Sequence, residues 1–313
     1  MTASVAEYFG NRTDIDSEDI EPIEIPDKWA SSDDIPLCPF SGGNACKKLK
    51  SKNEPVCSVR DGAGTLWIAC SERLCTTKKD IPLCDHQVGI LEDIARHIFN
   101  PDIPAEDVCV KREVSLNVVE GTSYHADYII TPASGSSATS GPDRLVLEMQ
   151  GGGETSNTGH LTNQVKAWKR TPGRTNELLR TPTPATPLVT NAWRRQQEQF
   201  LVKGNIAMKT WKGLGIAFCV GTLLYDYLMD RLSSANLPDL KHYNWTLALI
   251  AIKEDTDVPV TPGPIPLKVD ESRLIYTNYQ TFVQALINQG EPSLDAFVGE
   301  FINLRNDTFL IEW

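Results

Sequence analysis

Two stretches decide how this chain reads: Tyr124-His125-Ala126-Asp127-Tyr128 and Arg144-Leu145-Val146-Leu147-Glu148-Met149-Gln150. Each is of strand length, built largely from apolar and aromatic residues, and carries a lone acid. Between them, Pro132 to Asp143 is rich in Ser, Gly, Ala and Pro and reads as a surface loop. Side chains alternate along a strand, so Glu148 and Gln150 share one face, and a neighbouring strand can bring Asp127 beside them. An earlier predicted strand, Val108 to Val119, carries Glu113. The ordered set Glu113, Asp127, Glu148 and Gln150 is the candidate site. His125 shares the face of Asp127, although a lone His is more often structural than catalytic.

Working outward, Val88, Leu91, Ile94, Ala95 and Ile98 recur at helical spacing, with Asp85 as the predicted N-cap and Pro101 just beyond the end. Downstream the pattern predicts a short helix near Leu161 to Trp168 and a longer one from Ala192 to about Ala207. Buried strands follow at Gly215 to Gly221 and Asn244 to Ile252, and the tail from Ile275 to Trp313 shows two amphipathic helical patterns and a short apolar end. Helices alternating with strands predict an α/β fold, a mixed sheet flanked by helices. The expected division is residues 1–84, an acidic arm and a cysteine module, and 85–313, the domain that carries the acids.

With 313 residues and 41% hydrophobic content the chain can fill a real core. Residues 1 to about 34 are acidic and predict a loosely ordered arm anchored at Ala6, Tyr8 and Phe9. The start lacks a basic, apolar export signal, which places the chain in the cytoplasm as an expectation. Leu214 to Leu224, the longest apolar run, is too short for a membrane span. The net charge of −11 argues mildly against a polyanionic partner. Basic residues are nevertheless grouped: Lys47, Lys48, Lys50 and Lys52; Lys166, Lys169, Arg170 and Arg174; Arg194 and Arg195; Lys203, Lys209 and Lys212. Gln164 and Trp168 join the second group as candidates for groove or phosphate contacts.

Eight cysteines in a chain without an export signal favour thiolate and metal chemistry over disulfides. Cys38, Cys46, Cys57 and Cys70 form one candidate ligand set. Cys75 and Cys84, with His86 nearby, offer rival ligands. Cys109 and Cys219 lie in apolar, strand-like contexts and read as core. Four thiolates suit Zn²⁺ as readily as iron. Gly151, Gly152 and Gly153 lack the Gly-Lys-Ser/Thr of a nucleotide-binding loop, and predict close passage of backbone past a bound strand.

Two carboxylates meeting at strand ends form an oxygen-rich site suited to Mg²⁺. Such a cation polarises a phosphoryl oxygen and steadies a leaving oxygen, which is the chemistry of phosphodiester hydrolysis. The order Ala6-Glu7-Tyr8-Phe9-Gly10-Asn11-Arg12, Cys38-Pro39-Phe40, Cys46, Cys57-Ser58-Val59 and Cys70-Ser71-Glu72-Arg73, followed by Glu113, Asp127 and Glu148-x-Gln150, resembles the NotI-like type II restriction endonucleases of the PD-(D/E)xK superfamily. The resemblance implies a PD-(D/E)xK nuclease core beside an N-terminal module in which the four cysteines hold iron. It implies Mg²⁺ on Asp127 and Glu148, Glu113 as an added acid, and Gln150 where that superfamily usually has Lys. It implies a homodimer on double-stranded DNA, products with 5′-phosphate ends, and a cognate DNA methyltransferase. Two other readings stay open: a non-catalytic DNA-binding protein with a cysteine module, and a repair nuclease that reads DNA structure.

Overall fold

The computed structural model describes residues 2–15, 20–74, 80–117, 123–173, 175–210, 214–288, 293, 295, 298–305 and 308–311. Cys75, Arg174, Lys212 and Val119, all named above, lie outside these residues.

The chain begins with a small antiparallel sheet of β1 (Ala3–Tyr8), β2 (Asn11–Arg12), β3 (Val56–Asp61) and β4 (Leu66–Ile68), in the order β2-β1-β3-β4. The short helices α1 (Lys47–Lys50) and α2 (Ser71–Leu74) flank it. The expected loose arm is therefore corrected at its start: Ala3, Val5 and Tyr8 are buried, and β1 is an interior strand. Its one charge, Glu7, is buried with Arg73 at 2.7 Å, a pairing sixty-odd positions distant that no local pattern discloses.

Helix α3 (Asp85–Ile98) follows, and its N-cap is Cys84 instead of Asp85. Then come β5 (Val108–Asn117), β6 (Ser123–Pro132) and β7 (Arg144–Gln150), close to the predicted spans. The chain continues through β8 (Thr155–Ser156), α4 (Thr158–Arg170), α5 (Glu177–Arg180) and β9 (Thr186–Pro187) to the long helix α6 (Val189–Thr210). Next are β10 (Leu214–Gly221), α7 (Thr222–Leu232), β11 (Leu247–Glu254) and β12 (Leu267–Thr277). The tail holds α8 (Tyr279–Ile287) and the ribbon β13 (Gly299–Ile302) and β14 (Thr308–Ile311). Among the described residues of the later tail a strand pair stands where a second helical pattern is expected, with Phe301 opposite Phe309 in its register.

The main sheet has six strands in the order β12-β11-β10-β7-β6-β5. β10 runs parallel to β7 and β11, and the outer pairings are antiparallel. The predicted α/β architecture, a mixed sheet flanked by helices, is what the chain adopts. Alternation assigns each sheet residue to a layer. Val146, Phe218 and Val220 pack with α6, α7 and α8, while Leu145, Leu147, Cys219 and Ile250 pack with α3. No described helix is long and apolar enough to cross a membrane.

The small sheet is joined to later parts of the chain. Ala3 bridges to Thr183, Arg60 pairs with Glu254 at 2.6 Å, and Ile265 donates its N–H to Glu7 at 2.7 Å.

Candidate functional site

In the antiparallel pairing of β6 with β7, Tyr128 opposes Leu147, Ile129 opposes Val146 and Ile130 opposes Leu145. One step further along that register, Asp127 stands opposite Glu148. Directly opposed residues project to the same face, so the two acids meet as the alternation requires. Asp127 closes the pairing with its side chain: Oδ2 accepts the Met149 N–H at 3.0 Å.

Glu148 is 2% exposed, and its Oε1 is a buried oxygen without a hydrogen-bond partner among the described residues. Burial pushes its carboxyl up to about 8, with the charge of Asp127 adding to the rise and Lys203 opposing it. Burial likewise raises Asp127, against the Met149 hydrogen bond and Lys203. Crowding two carboxyls in a dry place is unfavourable without a positive charge. That charge comes from Lys203, whose Nζ lies 2.7 Å from Glu148 Oε2. Lys203, which the sequence places in a basic group with Lys209 and Lys212, has a side chain only 5% exposed and held inside the site. It is the principal site residue missed by sequence reasoning. The only signal for it was the helical spacing of Gln196, Gln199 and Lys203, which share one face of α6.

That face lies along the acidic strand. Gln196 donates to Gln150 Oε1 at 2.7 Å, and Lys203 also donates to Gln199 Oε1 at 2.8 Å. The amide of Gln150 in turn donates to the Gly152 carbonyl. Glu113 falls between Arg112 and Val114, which oppose Tyr128 and Ala126, so it stands level with Asp127 on β5. It is exposed, and its φ of +48° puts a non-glycine residue in the left-handed region. His125 is exposed, with Nδ1 3.4 Å from Ser115 Oγ.

The donors present fit a hard divalent cation: the orphaned Oε1 of Glu148 and the carboxylate of Asp127 offer oxygen from two strands. Beyond Gln150 the surface opens into a cleft of about 390 Å³ lined by Lys47, Lys48, Cys70, Gly153, Arg195 and Gln196 among others. Lys47 pairs there with Glu72, and Arg195 with Glu154.

Not every expected contact residue faces solvent. Trp168 is buried, Lys169 pairs with Glu54 at 2.6 Å, and Gln164 Nε2 donates to the Leu178 carbonyl at 2.8 Å. Lys166 and Arg170 are exposed. The glycine triplet serves packing as much as access, because a side chain on Gly152 would stand 2.6 Å from the Ile68 carbonyl.

Cys38, Cys46 and Cys57 belong to one buried cluster with Phe40 and Leu49. Burial raises the Cys38 thiol, and Cys46 and Cys70 raise it further; burial also raises Cys57 and Cys70, each of which senses another cysteine of the set. The four thiols thus share one neighbourhood. Among the described residues no group of three or more His, Cys, Asp or Glu is closed around a common point at metal-holding distance. Cys219 is buried as expected, whereas Cys109 is exposed, on the strand at the sheet edge. No model of a known protein family matches the chain, and no characterised protein is significantly similar to it in sequence.

Proposed function

We propose that the chain is a Mg²⁺-dependent endonuclease of double-stranded DNA, of the sequence-specific restriction type. The observation that carries this reading is the pair Asp127 and Glu148, opposed on adjacent strands, with a buried carboxylate oxygen left over for a cation. Mg²⁺ at that oxygen pair supplies a Lewis acid for a phosphoryl group. Asp127 and Glu148 would hold it, Gln150 is fixed by Gln196 at the mouth of the cleft, and Lys48 offers positive charge to the flanking backbone, beside Lys47 and Arg195, whose carboxylate partners Glu72 and Glu154 a bound strand would have to displace. In the reaction, a water oxygen bonds to phosphorus, the bond from phosphorus to the 3′-oxygen breaks, and the products are a 3′-hydroxyl and a 5′-phosphate. The proton lost by water passes to solvent, and the leaving oxygen is protonated from it.

The four clustered cysteines are proposed to hold iron or zinc. Their soft sulfur donors support this, with Cys38, Cys46 and Cys57 in one buried cluster and the half-buried Cys70 close enough to raise two of those thiols, and binding would draw the four together. A homodimer fits a palindromic target, since two-fold protein symmetry matches two-fold DNA symmetry. In such a system a DNA methyltransferase would protect the host's own sites, and the protein would act in the cytoplasm.

The test is incubation of purified protein with long DNA and Mg²⁺. Discrete bands, lost in Asp127→Asn and in Glu148→Gln while DNA binding persists, are expected. Sequence-selective binding without cleavage would favour the non-catalytic reading, and cutting confined to flaps or junctions would favour the repair reading.

A further inference from the structure

We propose that Lys203, reaching from α6 to the acid pair, places an ammonium at the reacting centre. This inference rests on the nuclease reading of the site. Gln150 carries no charge, and both ends of its amide are engaged, Oε1 by Gln196 and Nε2 with Gly152. It is fixed in place and holds nothing positive toward a phosphate. Lys203 is the described cation that reaches the acid pair: its Nζ is 2.7 Å from Glu148 Oε2 and 2.8 Å from Gln199 Oε1.

An ammonium has three N–H groups, and these two bonds leave a third for a water or a phosphoryl oxygen. The surroundings hold the head in place. Phe200 and Ile206 on the same helix are buried against Phe218 and Ile216 of the sheet, so α6 cannot slide without opening the core. Gln199, one turn earlier on α6, aims the ammonium at the acid. With a divalent cation bound, Glu148 would no longer need the lysine to neutralise its carboxylate. It remains beside the reacting centre, able to orient the attacking water and to face the developing charge on phosphorus.

A purely structural lysine makes a different prediction. If Lys203 only neutralises Glu148 before the cation arrives, saturating divalent cation replaces it, and its loss should then cost nothing in rate. The experiment is single-turnover cleavage of plasmid DNA by parent, Lys203→Gln and Lys203→Arg across a Mn²⁺ titration. DNA affinity in Ca²⁺ and thermal midpoints are measured beside it.

We expect Lys203→Gln to fall by about a hundredfold or more at saturating Mn²⁺, the scale of losing one positioned donor that faces charge developing in the transition state. Its DNA affinity should stay within a few-fold of the parent, and Lys203→Arg should recover part of the rate. Parental rates for Lys203→Gln at saturating Mn²⁺ would overturn the inference and leave only the neutralising role. If Lys203→Gln fails to fold, Lys203→Arg decides: a rate below the parent's that saturating Mn²⁺ does not restore supports a positioned ammonium, and a full return to the parental rate at high Mn²⁺ contradicts it. A parent that cuts no DNA removes the nuclease reading itself and this inference with it, which the parental reaction reveals independently of the variants.

Discussion

The indole Nε1–H of Trp67 donates to the carbonyl of Gly153 at 3.0 Å, fastening the small N-terminal sheet to the loop that leaves the acidic strand. Trp67 is fully buried, and its neighbour Ile68 bridges to Gly152. The cysteine-bearing part of the chain therefore forms one wall of the cleft beside Gln150.

This joint predicts the effect of Gly152→Ala. The added methyl would meet the Ile68 carbonyl at 2.6 Å and the Trp67 ring at 2.9 Å. Backbone must move to relieve it, at a cost of about 1–3 kcal/mol as for other overpacked cores. Urea unfolding should register the loss, and Mg²⁺-dependent cleavage should fall by more than stability alone accounts for. An unchanged midpoint would show that the two walls are not tightly joined. Gly153→Ala meets only ordinary contacts and should be tolerated.

Glu7 and Arg73 form a second joint. Both are fully buried, and Glu7 also accepts from Ser58 Oγ at 2.6 Å and Ile265 N–H at 2.7 Å. Burial alone pushes the Glu7 carboxyl up, but the charge and hydrogen bonds of Arg73, with those of Ser58 and Ile265, outweigh it and hold the carboxyl below its usual range. A group depressed in the folded state stabilises above its unfolded pKa, and that stability is lost as pH falls. His86, beside Arg73, is pushed down to about 4 by burial and by Arg73, so it too costs stability as pH drops below its ordinary value near 6.5. Glu7→Gln should lose about 3–5 kcal/mol at pH 7, because it strands a buried guanidinium. The variant should also show a weaker dependence of stability on acid than the parent.

Much of this was legible beforehand, and the reasons differ by element. β5, β6, β7 and β10 announce themselves through apolar runs bounded by turn residues, and the opposition of Asp127 and Glu148 follows once β6 and β7 are neighbours. α3 was legible from its spacing, though Cys84 takes the cap. Lys203 was not legible, because a lysine on an amphipathic helix reads as surface until the helix's partner is known; the acid it serves is 55 positions away. β1 was misread because its burial depends on Arg73 cancelling Glu7. Cys109 was misread because its strand lies at the sheet edge.

The acid pair predicts an inverted pH response. Glu148 is raised to about 8, chiefly by burial, then by Asp127. The folded state then binds more protons than the unfolded one between the ordinary carboxyl range and about pH 8. By linkage this contribution is favourable at low pH and is lost as pH rises through that window. The thermal midpoint of the parent relative to Glu148→Gln, measured in chelator, should decline from pH 5 to pH 8. Adding Mn²⁺ should reverse the decline in the parent alone. A flat difference would show that Glu148 is ionised throughout.

The cysteine cluster predicts metal content. Protein purified without chelator should carry about one iron or zinc per chain, the stoichiometry of a single four-thiolate site. Cys38→Ser should lower both metal content and thermal midpoint. Because burial holds the Cys38, Cys57 and Cys70 thiols above their ordinary range, binding must release protons, so retention should weaken as pH falls. Metal-free protein of unaltered stability would leave the cluster as packing.

The most direct measurement is anomalous scattering from crystals equilibrated with Mn²⁺ near pH 8. The account predicts one peak between β6 and β7, within about 2.0–2.4 Å of an oxygen from Asp127 and one from Glu148, the range of hard-cation coordination. Density absent from that position at saturating Mn²⁺, with Lys203 still seated on Glu148, would contradict it.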